Sequence, residues 1–402
     1  MTFLPDIPPH FSPAWQGPNP SRIDAAIDRA LAEQRLVGAV VLVSHNGRLV
    51  HRRAAGLADR EAGQPMREDA LFRLASVSKP IVSTAAMVLV DQGRLGLDDP
   101  VTRWLPDFRP RLPESAGGGD AEAVITLRQL LTHTAGLGYR FLESSDDGPY
   151  ARAGVSDGMD RDGDLTLAGN LQRLTSVPLL YPPGTGWLYS LAIDVLGAVV
   201  EAASGLPLPE AVRTLVTAPL QMHDTGFAAA PDDQRLATPY VNGPDATPPR
   251  RMEGPVVVTP FEGAIGIRFD PARAFDTHAW PSAGAGMVGS AGDFLRLLET
   301  LRTGGAPLLG AATVDAMGRN HTGTWGPADA PGWGFGLGFS VLHDPQPTQT
   351  PESPGTWRWG GAYGHAWFVD RARELSVVAF TNTLYEGMSG RFVTELRDAV
   401  YA

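Results

Sequence analysis

Two residues three apart could do covalent chemistry: Ser76 and Lys79, in Ala75-Ser76-Val77-Ser78-Lys79-Pro80. Lys79 is the only lysine in the 402-residue chain, and Lys and Arg together number 33, so every other cationic side chain is arginine. Arginine stays protonated at any working pH, whereas a buried lysine can release its proton. On a helix, a spacing of three puts both side chains on one face. A hydroxyl beside a lysine able to deprotonate is the minimal kit for an activated serine nucleophile. Four letters arise by chance, so context carries the weight. Ile81 to Val90 is apolar all round and is followed by Gly93, which predicts a buried helix with a glycine stop. Pro80 fits only near a helix start. Ser76 is therefore expected at, or just before, a helix N-terminus, where the macrodipole favours an anion.

Two further stretches could serve such a nucleophile. Tyr189-Ser190-Leu191 follows the turn Pro183-Gly184-Thr185-Gly186 and precedes an apolar helical run. A tyrosine there can be aimed into a cleft as a general base or proton relay; the alternative is a core tyrosine whose hydroxyl sits on a backbone carbonyl. Trp359-Gly360-Gly361-Ala362 puts two glycines in a strand, which marks close approach of a backbone or a ligand. Freed N–H groups there could bind an oxyanion; the alternative is a bulge.

Other motifs lack their context. Gly154-Val155-Ser156-Asp157-Gly158 spells G-x-S-x-G but has neither the strand before it nor the helix after it that a nucleophile elbow needs. Asp160-Arg161-Asp162-Gly163-Asp164 misplaces the glycine of a calcium loop and puts Leu171 at its twelfth position. The nine histidines are scattered without H-E-x-x-H, and there is no cysteine, so no metal site is expected. His133 reads as structural. His365 follows the glycine-rich strand closely enough to line a pocket.

The elements that must position these residues follow from pattern. Ser21 reads as an N-cap with Asp24 as its box partner, opening a helix over 22–35 after a proline-rich arm over 1–20. Gly38 to Ser44 reads as a buried strand, Asn46-Gly47 as a hairpin turn and Arg48 to Ala55 as the return. Short helices are expected at Leu127 to Leu131, Leu191 to Ala203 and Leu208 to Val216. Residues 143–164 read as an acidic surface loop. Strands follow at Thr356 to Gly360, His365 to Val369 and Leu375 to Phe380, then a helix from Arg391 to Val400. With strands at both ends and helices between, the economical fold is α/β (α+β). Residues 1–80 and 290–402 form an antiparallel sheet flanked by helices, 81–289 a mainly helical domain, and the cleft between them holds the site. Net charge −11 and a pI near 5.3 argue against a nucleic-acid partner. No basic leader and no stretch of about 20 apolar residues is present, which predicts a cytoplasmic protein without a membrane partner.

Taken together, these residues resemble the serine β-lactamase and penicillin-binding-protein superfamily, in its class C-like branch. Phe72 to Lys79, Gly93-Arg94-Leu95-Gly96-Leu97-Asp98-Asp99-Pro100-Val101 and Leu130-Leu131-Thr132-His133-Thr134-Ala135-Gly136-Leu137 are similar to its signatures, in order, over roughly 22–400. Within the branch the chain looks most like family VIII carboxylesterases. Leu191 stands where class C lactamases have an asparagine that holds the substrate amide. Trp359-Gly360-Gly361 stands where they carry Lys-Thr-Gly. The resemblance implies a β-lactamase-like fold, no metal or organic cofactor, and a small-molecule ester substrate with a short acyl chain. It implies Ser76 as nucleophile, Lys79 and Tyr189 as its base pair, and the backbone N–H groups of Ser76 and Ala362 as oxyanion hole. Trp359, Gly360, Gly361, Tyr139, Leu191 and His365 would shape the pocket. β-Lactamase, D-aminopeptidase or amidase, and acyltransferase activities are the rivals within the superfamily; a non-catalytic scaffold is the remote one.

Overall fold

A computed structural model describes residues 15–114, 121–242 and 247–402. Its centre is an eight-stranded antiparallel sheet in the order Trp333–Phe335, Ser340–Leu342, Trp357–Gly361, His365–Asp370, Leu375–Thr381, Gly38–His45, Arg48–Asp59, Gln64–Pro65. Strands from the two ends of the chain meet where Gly38–His45 pairs with Leu375–Thr381, Val41 opposite Ala379. The hairpin turn forms as its residue types predict: Asn46 and Gly47 both take positive φ, 52° and 70°.

Side chains alternate across this sheet, and both faces are dry. Val40, Leu42, Trp367, Val378 and Phe380 join the large core on one side. Ala39, Val41, Val43, Phe368 and Val377 meet Ile23, Ile27, Leu396 and Val400 on the other. The latter belong to the terminal helices Pro20–Ala32 and Arg391–Tyr401. A strand buried on both faces reads as a continuous apolar run, which is why Gly38 to Val43 shows no polar alternation. The first helix begins earlier than its Ser21 signal: Asn19 Oδ1 accepts the Ser21 N–H at 3.0 Å. Pro20 lacks an N–H and has a pre-set φ, so it fits the first helical position and moves the cap to Asn19. Asp24 instead meets His51 at 3.0 Å and Arg53 at 3.1 Å. Residues 1–14 of the expected arm lie outside the described residues.

The large core is continuous from the sheet into the middle of the chain, taking in Leu130 and Leu131 of helix Leu127–Leu131 and Ile193 and Leu196 of helix Ala192–Ser204. The expected helix from Leu208 is regular only to Val212 and continues as a π-turn over Arg213–Thr217. Two-stranded ribbons interrupt the helices at Tyr240–Val241 with Arg250–Arg251 and at Val256–Val258 with Ile267–Phe269. Residues 143–164 are only partly a surface loop. They include helix Pro149–Arg152, and Val155, Ser156, Asp157 and Met159 are buried. Helix Ala291–Arg302 packs on the central strands and has no counterpart among the sequence expectations. Among the described residues no single helix is long and apolar enough to cross a membrane.

Candidate active site

Ser76 lies in a 3-10 turn, Ala75–Val77, that runs directly into helix Ser78–Asp91. Every residue of that helix from Ser78 to Leu89 is buried, so the element is a fixed core rod and its first turn is rigid. Strand Leu71–Arg73, paired with Val288–Ser290, delivers the chain to the turn. Ala75 sits at φ 46°, a left-handed conformation that costs a non-glycine residue about 1–3 kcal/mol and clusters at functional sites. Gly361 explains how the sheet closes on this turn. A methyl group at Gly361 would lie 2.3 Å from the Leu74 carbonyl oxygen, so only glycine lets strand Trp357–Gly361 press so close.

Three side chains of the expected set converge. Tyr189 Oη donates to Ser76 Oγ at 2.5 Å, and Lys79 Nζ donates to the same oxygen at 3.2 Å. Lys79 is fully buried, and a second donor bond, 2.8 Å to the Gly284 carbonyl, holds its ammonium. The ammonium lies 4.6 Å from the centre of the Tyr189 ring and 5.5 Å from that of Tyr139, within cation–π range. Tyr189 is carried on the loop ahead of helix Ala192–Ser204, and His133 braces that loop on both sides of it. The His133 carbonyl accepts from Leu188 N at 3.1 Å, and its Nδ1 accepts from Ser190 N at 3.2 Å. Burial, aided by the charge of Lys79, pushes the His133 imidazole well below its ordinary value. The ring stays neutral, as an accepting Nδ1 requires. Burial likewise lifts the Tyr139 phenol well above its ordinary range, helped by Tyr189 and Asp194.

A cavity of about 560 Å³ opens onto Ser76. Tyr139, Trp359 and Gly360, expected in the pocket, line it together with Tyr189 and Ala362. Trp359 stands 5.1 Å from the Tyr189 ring, giving the site an aromatic wall. Phe141, Met159 and Ile267 extend the apolar lining. Three expected pocket residues are not among those lining it. Leu191 is fully buried in the core at the start of its helix, because the turn that aims Tyr189 outward aims Leu191 inward. His365 is also fully buried. Its Nε2 donates to the Arg73 carbonyl at 2.8 Å, and burial lowers its pKa to about 4. Gly361 serves the backbone contact already described, whereas Gly360 does line the cavity.

Residues outside the expected set also reach the site. Asp157, inside the G-x-S-x-G decoy, lines the cavity; burial pushes its carboxyl up to about 7 against the pull of Arg140. Ser156 of the same decoy bonds to Asp160 at 2.8 Å and has no part in the Ser76 cluster. Asp194 is 1% exposed and faces the turn that holds Lys79. A lone acid in the apolar run Ala192 to Val200 was its one sequence signal. Among the described residues no group of three or more His, Cys, Asp or Glu could hold a metal ion.

The chain is similar to known proteins over nearly its whole length. The chain is 53% identical over 383 residues to Esterase EstB of Burkholderia gladioli, covering 95% of each. Its fold superposes on EstCE1, described as a hydrolase with promiscuous acyltransferase activity, with a TM-score of 0.89 at 46% identity, over 95% of this chain and 98% of that one. Unliganded Simvastatin Synthase (LovD) from Aspergillus terreus shares the fold at a TM-score of 0.72 and 23% identity, over 95% and 98%. The Beta-lactamase family profile matches residues 23–402, nearly the whole chain. On sequence and fold together, the chain belongs to the beta-lactamase family.

Proposed function

We propose that this protein is a serine carboxylesterase that hydrolyses short-chain carboxylic esters through an acyl-enzyme on Ser76, placed within the family beside the family VIII carboxylesterases. The observation that carries it is Ser76 Oγ held between Tyr189 Oη at 2.5 Å and Lys79 Nζ at 3.2 Å at the floor of a cavity. The pair serves as base when it is one proton short, as a tyrosinate beside the ammonium or a phenol beside the neutral amine. Ser76 Oγ attacks the ester carbonyl carbon while its proton passes to Tyr189 Oη or Lys79 Nζ, which returns the pair to phenol and ammonium. The carbonyl oxygen becomes an oxyanion against the N–H groups of Ser76 and Ala362; such a donor lowers the barrier by roughly 3 kcal/mol. Collapse breaks the C–O bond, and the pair returns the proton to the leaving alcohol. Water then attacks the acyl-enzyme, gives its proton to the same pair, and releases the acid with Ser76 restored.

The aromatic wall of Trp359 supports a neutral ester over an anionic lactam, since it offers no cation to a carboxylate. The relative Esterase EstB, 53% identical, is named as an esterase, which supports this reading. A second reading, acyl transfer to an alcohol, draws support from the acyltransferase activity in the EstCE1 description. Ser76→Ala is expected to abolish p-nitrophenyl butyrate hydrolysis and the acyl adduct seen by intact mass, while the fold persists. Undiminished hydrolysis by that variant would sink the proposal. Nitrocefin turnover rivalling ester turnover would make the protein a β-lactamase instead. Partition of the acyl group toward a dilute alcohol would favour the transferase.

A further inference from the structure

Asp194 is a carboxylate buried beside Lys79, and the ester mechanism makes no use of it. It sits in the first turn of helix Ala192–Ser204, five residues after Tyr189, and is 1% exposed. The positive end of the helix dipole favours an anion there. Its Oδ1 accepts from Ser282 Oγ at 2.7 Å and from Gly284 N at 3.2 Å. Its Oδ2 is buried and has no hydrogen-bond partner. The carbonyl of the same Gly284 takes the Lys79 ammonium at 2.8 Å. A methyl group on Gly284 would stand 2.6 Å from Asp194 Oδ2 and 3.3 Å from Lys79 Nζ. The free carboxylate oxygen and the ammonium therefore flank one glycine that has no room for a side chain. Burial pushes the Asp194 carboxyl up, and the charge of Lys79 with the bonds from Ser282 and Gly284 pulls it back.

We propose that Asp194 is a positioning residue for Lys79, acting in two ways. Through the Ser282–Gly284 turn it fixes the carbonyl that anchors the ammonium, and through Oδ2 it supplies the buried counter-charge. The proposal rests on the esterase reading of Ser76 and Lys79 for its effect on rate, though not for its effect on the lysine itself. An unpaired buried cation is costly, and removing its partner favours the neutral form. The other groups facing this pair are Tyr139 and Tyr189, whose rings flank the ammonium, His133, which feels its charge, and Arg273, whose charge acts on Asp194.

Asp194→Asn tests this, because an amide oxygen can still accept both bonds while the charge is gone. The chain has a single lysine. Protein grown on [ε-13C]lysine therefore shows one lysine side-chain signal, which can be followed with pH whether or not the protein is an esterase. In Asp194→Asn that signal is expected to titrate at lower pH, by about one unit, as for an opposite charge removed at close range. The limb of the kcat/KM profile governed by Lys79 is expected to move with it. A signal that titrates as in the parent would overturn the counter-charge. A shifted signal beside an unmoved rate profile would keep the pairing and count against Lys79 as the base. If Asp194→Asn does not fold, Gly284→Ala wedges the two groups apart. It is expected to lower kcat about tenfold or more with little change in KM, and a parental kcat in that variant would overturn the proposal.

Discussion

At the scale of residues, the proposed proton path gives the chain's single lysine a task that arginine could not perform. Lys79 is fully buried, within 3.2 Å of a serine hydroxyl, and is held by one backbone carbonyl. A guanidinium there would keep its charge and could not take the serine proton. Lys79→Arg is therefore expected to lose about 1000-fold in kcat, nearly as much as Lys79→Ala, within the range for a general base. Retention of more than a tenth of the parent rate by the arginine variant, measured with p-nitrophenyl butyrate, would remove Lys79 from the proton path. Ser76 and Lys79 were legible because their spacing matches the helical repeat and the apolar run behind them announces a buried helix. Leu191 and His365 were misread for a shared reason. Nearness along the chain to a site residue does not set which way a side chain points, and both point into the core.

At the scale of elements, the active-site turn is held by strands that meet it from opposite ends of the chain. Strand His365–Asp370 touches it through His365 Nε2 on the Arg73 carbonyl, three residues before Ser76. Burial lowers the pKa of His365 from 6.5 to about 4. The unfolded chain therefore binds a proton near pH 6.5 that the folded protein takes up only near pH 4. Stability is complete above pH 6.5 and falls as pH drops through that window, by up to about 3 kcal/mol. His365→Gln, which keeps an N–H donor, is expected to flatten this part of the pH–stability curve in urea titrations. An acid slope unchanged from the parent's would show that other groups cause it. The central strands Gly38–His45 and Leu375–Thr381 were legible as continuous apolar runs, and the terminal helix by the helical spacing of Phe392, Leu396 and Val400. Strands Trp333–Phe335 and Ser340–Leu342 were not, since three residues cannot display a period.

At the scale of the whole molecule, the fold is closed by its two ends, and Arg35 and Arg391 tie them through ion pairs. Arg35, just past the first helix, bonds Glu33 and Glu395 at 2.7 Å each and also Glu386. The arginine and its two distant partners are largely shielded from solvent. Arg35→Ala leaves Glu386 with only the Phe392 N–H at 3.0 Å, while Glu395 keeps Arg391 at 2.8 Å, and is expected to lower unfolding free energy by about 1 kcal/mol, less than for a fully buried pair. Denaturant melts read this directly, and a change below about 0.5 kcal/mol, the scale of an exposed surface pair, would show that Arg35 adds no more than such a pair to the closure of the ends. The sequence by itself determined what is local. It set the Ser76–Lys79 spacing, the helix that makes the pair rigid, the strands at both ends and the tyrosine on its turn, since each depends on residues a few positions apart. The tertiary structure decided what depends on distant neighbours. It brought Tyr189 to Ser76 across 113 positions, set Asp194 against Gly284 across 90, and folded Asp157 from an apparent surface loop onto the cavity wall. Burial and direction are properties of the packed whole, and no pattern read along the chain contains them.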